Sequence, residues 1–125
     1  MGRPALLSID QPPVDTQATV NSVRIGEHPE KIRITLDLSA PTSYRVLEQN
    51  DQARILVELP AATWVATRTW QAAQLNIVSG FTVEEMKEGG TRLIINAVKG
   101  ITVREEALLE PNGSKGHRLY IDISQ

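Results

Sequence analysis

The chain has 125 residues, room for one domain with a core that folds without a metal or disulfide staple. Hydrophobic residues make up 41% and charged residues 22%, which is globular chemistry and excludes wholesale disorder. A net charge of -2 lacks the basic excess of a nucleic-acid binder, and the absence of Cys removes disulfide frameworks and thiol chemistry.

Residues 1–18 carry Pro4, Pro12 and Pro13 but no periodic signal, and read as an extended arm or linker. Residues 5–7 are too short an apolar stretch for a signal-peptide core, and no run approaches the ~20 apolar residues that cross a membrane. No membrane insertion is expected. From Thr19 the pattern becomes period two. The segment 20–26 reads as a short strand with Val20, Ser22 and Arg24 on one face and Asn21, Val23 and Ile25 on the other, ended by Gly26. After a turn at 27–31, the segment 32–38 places Ile32, Ile34, Leu36 and Leu38 on one face and Arg33, Thr35 and Asp37 on the other. Such alternation marks a sheet packed on one side and wet on the other.

Residues 39–42 break the pattern and 43–49 form a weaker strand. The 50–52 turn has Asn and Asp, which tolerate left-handed backbone. The strand at 53–59 turns Ile55, Val57 and Leu59 inward and Arg54, Leu56 and Glu58 outward, and Pro60 stops it. Residues 61–74 are a connector: Ala and Gln permit a helical turn, whereas Thr63, Val65, Thr67 and Thr69 favour extended chain. Strands resume at 75–86, 91–98, 101–110 and 117–124, with turns at 88–90 and 110–116 and Asn112-Gly113 at a hairpin tip. About eight short strands make an all-β domain.

The two halves, 19–60 and 75–125, repeat each other. Arg33–Leu38 aligns with Arg92–Ala97, and Arg54–Leu59 with Arg118–Ile123. In each of these strands an Arg is followed four positions on by an acid or its amide: Asp37, Glu58, Asn96 and Asp122. The apolar sets (Ile34, Leu36, Leu38, Ile55, Val57, Leu59 and Leu93, Ile95, Ala97, Leu119, Ile121, Ile123) give each half one sticky face. Packing the two faces together gives a β-sandwich of two similar, roughly four-stranded sheets with pseudo-two-fold symmetry.

Residues 22–64 resemble the AMIN domain of periplasmic N-acetylmuramoyl-L-alanine amidases. Val23-Arg24-Ile25-Gly26, Arg33…Leu36-Asp37-Leu38, the Ser39-Ala40-Pro41 break and Arg54…Glu58-Leu59-Pro60 carry the likeness. The second half is similar to the next stretch of such amidases, through residues 77–81, Gly90-Thr91-Arg92 and the Arg118 strand. Asn96-Ala97 and Glu58 stand where the pattern has Asp-Leu and Asp. The resemblance implies a sandwich that binds peptidoglycan without catalysis and places an amidase at the division septum. It further implies the periplasm, an export signal upstream, a catalytic zinc amidase domain downstream, and divisome proteins as further partners. It also allows a protein–protein docking module of secretion or type IV pilus machinery, joined through an exposed strand edge.

On this resemblance the candidate binding residues are Arg33, Asp37, Arg54, Glu58, Arg92, Asn96, Arg118 and Asp122. Arginine suits wall peptides because its planar fork matches carboxylates, and the acids and amide accept hydrogen bonds. The structural alternative is that these residues form cross-strand pairs worth ~0.2–1 kcal/mol each. Trp64 and Trp70 are expected to cover an open end of the sandwich rather than stack on sugars. His28 and His117 fall in turns without ligand spacing, so no metal or other cofactor is expected, and no catalytic residue is assigned.

Overall fold

The computed structural model describes residues 18–71, 77–97, 101–113 and 115–124. The expected arm lies outside these residues except for Ala18, which opens the first strand. The described residues form ten strands: β1 (Ala18–Glu27), β2 (Ile32–Leu38), β3 (Arg45–Gln49), β4 (Arg54–Leu59), β5 (Ala62–Trp64), β6 (Thr69–Gln71), β7 (Val78–Glu85), β8 (Thr91–Ala97), β9 (Thr102–Leu109) and β10 (His117–Ser124). They make two five-stranded sheets. Sheet I has the order β9-β10-β2-β1-β5 and sheet II the order β3-β4-β8-β7-β6. The fold is an all-β sandwich, and the strands at 32–38 and 117–124 have the bounds expected from alternation.

The halves do not each make a sheet. Sheet I joins the β1–β2 hairpin of the first half to the β9–β10 hairpin of the second, and sheet II joins β3–β4 to β7–β8. A lone hairpin is marginal in water, and each finds its neighbour across the repeat. The chain must therefore cross between sheets after each first hairpin, at 39–44 in the first half. The seams are two antiparallel pairs, β2–β10 and β4–β8, and they are equivalent under the repeat.

Equivalence extends to irregularities. The β1–β2 register slips between Val20 and Ser22, and the β7–β8 register slips at the aligned place, between Val78 and Gly80. This extra residue reverses the side-chain parity of β1. Val20 is buried, while Val23 and Ile25 pack against the same core, so Val20 does not share a face with Ser22 and Arg24 as strict alternation would have it. Of the twelve residues expected inward, eleven are buried; Ala97 is half-buried and packs against the core. Each fully buried aliphatic side chain contributes ~1.5–3 kcal/mol relative to exposure.

The connector closes one open side of the sandwich. β5 runs parallel to β1, and β6 pairs with β7 in the other sheet. Trp64 is 6% exposed, and its indole N–H donates to the Thr67 carbonyl at 2.9 Å. The buried Thr91 hydroxyl on β8 donates to the Ala62 carbonyl at 2.9 Å, tying the sheets together. Trp70 stacks on Phe81 with ring centroids 6.0 Å apart. The opposite side is fastened by edge strands: Tyr44 donates to Glu106 at 2.6 Å, and the Val103 amide donates to the Glu48 carboxylate at 2.8 Å. Glu106 beside the Tyr44 hydroxyl pushes its pKa up to about 12.

Two turn details depart from expectation. The left-handed residue before β4 is Ala53 (φ 52) rather than Asn or Asp, because residues 50–52 take a 3-10 turn. His117 begins β10 rather than lying in a turn, opposite Leu38.

Candidate functional site

Strand register places the eight candidate residues at the two seams, on the outer faces. On sheet I Arg33 lies opposite Asp122, and Asp37 opposite Arg118. On sheet II Arg92 lies opposite Glu58, and Asn96 opposite Arg54. The Arg and acid of one strand are ~13 Å apart at four positions' separation and cannot touch. Each instead meets a residue of the other half.

The first pair of each seam closes into an ion pair. Arg33 Nε and Nη2 donate to the Asp122 carboxylate at 2.7 and 2.9 Å, and Lys31 adds a third donor at 3.0 Å. Arg92 Nε and Nη2 donate to Glu58 Oε2 at 3.1 and 2.8 Å, while Arg45 Nη2 reaches Oε1 at 2.7 Å. Arg92 also holds Glu84 at 2.9 Å. Neither acid is wet: Asp122 is 1% and Glu58 7% exposed. Leu56, expected outward, is likewise covered, since it lies between Leu47 and Ile94 in a row across sheet II.

The second pairs do not close. Asp37 turns to Arg24, whose Nε and Nη2 donate at 2.9 and 2.8 Å, and it also accepts from the Ser22 hydroxyl. Arg118 makes no ion pair among the described residues, and its buried Nε has no hydrogen-bond partner. On sheet II, Arg54 Nε donates to the Gln49 side-chain oxygen. Asn96 lies beside a hollow of ≈ 700 Å³ that Gln71, Ser79 and Thr82 also line.

Electrostatics track the pairing. The Arg24 hydrogen bonds hold the Asp37 carboxyl below its ordinary value, against the opposing pull of burial, and the Ser22 hydrogen bond adds to them. Arg45 and then Arg92 lower Glu58, and Arg33 and then Lys31 lower Asp122, again in spite of burial. A depressed carboxylate contributes stability that is complete above its unfolded pKa and is lost as pH falls through its folded pKa. The melting temperature is therefore expected to hold from neutral pH down to the ordinary Glu and Asp values of 4.5 and 3.8 and to fall below them, as circular dichroism melts would show. A melting temperature unchanged at ~pH 2.5 would show that these pairs contribute nothing.

Arg24, Lys31, Arg45 and Glu84 belong to these networks and were missed by reasoning along single strands. Arg45 had a signal: a tight hairpin through residues 50–53 puts it opposite Glu58. Tyr120 did not, since its ring lies under the Arg33 guanidinium, 4.3 Å from Cζ to centroid, across a seam between halves.

The AMIN domain family model matches residues 22–123, from the bulge in β1 to the end of the alternation in β10. The chain belongs to the AMIN domain family. AMIN domains are non-catalytic peptidoglycan-binding domains of amidases and other envelope proteins, so this domain is not itself an enzyme. No curated protein matches the chain. Among the described residues of this AMIN domain, no three His, Asp or Glu side chains are grouped as metal ligands would be. The family match spans both halves, so the two seams lie inside it.

Proposed function

We propose that this AMIN domain binds peptidoglycan in the periplasm through its two outer sheet faces, and thereby holds a cell-wall amidase at the septum. The observation that carries the reading is the repeated seam: Arg33, Asp37, Arg118 and Asp122 on one face and Arg54, Glu58, Arg92 and Asn96 on the other occupy equivalent places. Two like faces pointing apart suit a polymer that presents the same unit many times. Arg33 and Arg92 are held by their carboxylates yet remain 40% and 33% exposed, so a ligand can reach guanidinium groups whose orientation is already fixed. Such pre-set donors lose little entropy on meeting a peptide carboxylate or a sugar hydroxyl.

Weak binding at each face is sufficient. Two engaged faces act with an effective concentration of ~mM for a short linkage, and the same arithmetic keeps a tethered amidase near its substrate. Divisome proteins are the further partners this placement calls for. The purified domain is expected to pellet with isolated sacculi at low and moderate salt. Failure to co-sediment at both would sink the reading. Septal placement is tested separately by an exported fluorescent fusion of the domain, which is expected to concentrate at constriction sites. A uniform rim would limit its role to wall binding.

A further inference from the structure

Between the two equivalent seams one position differs in a way that points to a ligand. On sheet I the row is Leu109, Arg118, Asp37, Ser22; on sheet II it is Gln49, Arg54, Asn96, Gly80. Gln49 accepts from Arg54, but its counterpart Leu109 has no side-chain acceptor for Arg118. Asp37 could supply one, yet Arg24 and Ser22 engage it, and their counterparts on sheet II, Thr82 and Gly80, offer no such donors toward Asn96. Arg118 is thus half-buried with an unmet Nε–H, and although each row leaves one positive charge, only on sheet I does the seam arginine lack any acceptor among the described residues. That Nε lies out of reach of solvent, so an incoming acceptor meets the terminal Nη groups, which also make no hydrogen bond among the described residues.

We propose that Arg118 is the carboxylate-gripping residue of this domain, and that the outer face of sheet I therefore recognises the peptide stem of the wall rather than its glycan. This rests on the peptidoglycan-binding reading and decides between its two faces. A planar carboxylate takes the two terminal Nη groups together, which a single sugar hydroxyl cannot do. Asp37 does not repel such a ligand strongly, since Arg24 already neutralises it in a two-point pair. Tyr120, two residues along β10 on the same face, lies under Arg33 and supports that guanidinium on the same outer face as Arg118.

The test compares Arg118→Gln, Arg118→Lys and Arg54→Gln, with two soluble probes read by calorimetry or NMR titration. The probes are an N-acetylmuramoyl peptide with free stem carboxylates and a chito-oligosaccharide without a stem. Arg118→Gln is expected to weaken binding of the muropeptide about tenfold, with Arg118→Lys intermediate and a smaller loss for Arg54→Gln, since Arg54 already has Gln49 as an acceptor. Amidating the stem carboxylates is expected to weaken binding to the wild type by the same factor and to leave Arg118→Gln unchanged. Melting temperatures should stay near wild type, because Arg118 has no ion-pair partner to lose among the described residues. Equal binding of the two probes, or a larger loss for Arg54→Gln than for Arg118→Gln, would overturn the proposal. If sacculi still pellet the wild type in that case, peptidoglycan binding stands and only the role of Arg118 falls.

Discussion

Asp122→Ala is expected to destabilise the domain by ~3 kcal/mol and to lower its melting temperature by ~12 °C, measured by urea and thermal unfolding. The carboxylate is 1% exposed and receives three charge-assisted hydrogen bonds, from Arg33 and Lys31. Removing one side of a buried ion pair costs ~3–5 kcal/mol when the other charge is stranded. Here the lower end applies, because the Arg33 and Lys31 side chains are 40% and 39% exposed and can turn to water. The repeat makes the same claim at its equivalent, so Glu58→Ala should cost a similar amount. The two acids lie on opposite outer faces with no shared partner, and their effects should add within ~0.5 kcal/mol. A cost under ~1 kcal/mol for Asp122→Ala would mean that the seam pair is an ordinary surface contact rather than a joint between the halves.

Gly90→Ala is expected to cost about 3 kcal/mol, and Gly89→Ala only about 1. Both glycines have positive φ, at +85° and +105°. A Cβ on Gly89 would meet nothing within 4 Å, so that substitution carries only the left-handed strain of an L residue. A Cβ on Gly90 would stand 2.4 Å from the Leu59 carbonyl oxygen and 2.5 Å from Pro60, both backbone groups that can give way only by moving the end of β4. That end adjoins Glu58, so the substitution is felt at the sheet II seam. Similar melting temperatures for the two variants would show that the close approach is relieved at no cost.

Those glycines show where reading the chain stops. The pair Gly89-Gly90 marks a turn on sight, but only the neighbouring chain distinguishes a glycine needed for its φ from one needed for its missing side chain. Ala53 is the converse: nothing in an alanine announces φ 52, which arises because β4 must start immediately after a 3-10 turn. The bulges in β1 and β7 were also hidden. An extra residue leaves the composition of a strand unchanged and alters only which face the next side chains take.

The binding residues were legible as a set and not as a geometry. Arg33, Arg54, Arg92 and Arg118 stand out because each opens a strand and is followed at the same spacing by an acid or amide, and a repeat makes the spacing visible twice. Which residue each would meet was not visible, since the partner comes from the other half. Arg33 and Arg92 became joints of the fold, Arg54 found a glutamine, and Arg118 was left with an unmet donor by a leucine and by the competing pull of Arg24 on Asp37.

Length, composition and charge allowed one small domain without thiol chemistry and without the charge of a nucleic-acid binder. Period-two alternation then determined the all-β class, most strand bounds and the inward residues, because each of these depends on neighbours within a few positions along the chain. Only the tertiary structure decided how the hairpins pair. Both halves present equally apolar faces, so local pattern does not distinguish a sheet built from one half from a sheet built across both. The small net charge gains its meaning in the same way. At the two seams buried acids lie under arginines of the opposite hairpin, and the seam arginine with an unmet donor, Arg118, is visible only once those pairings are known.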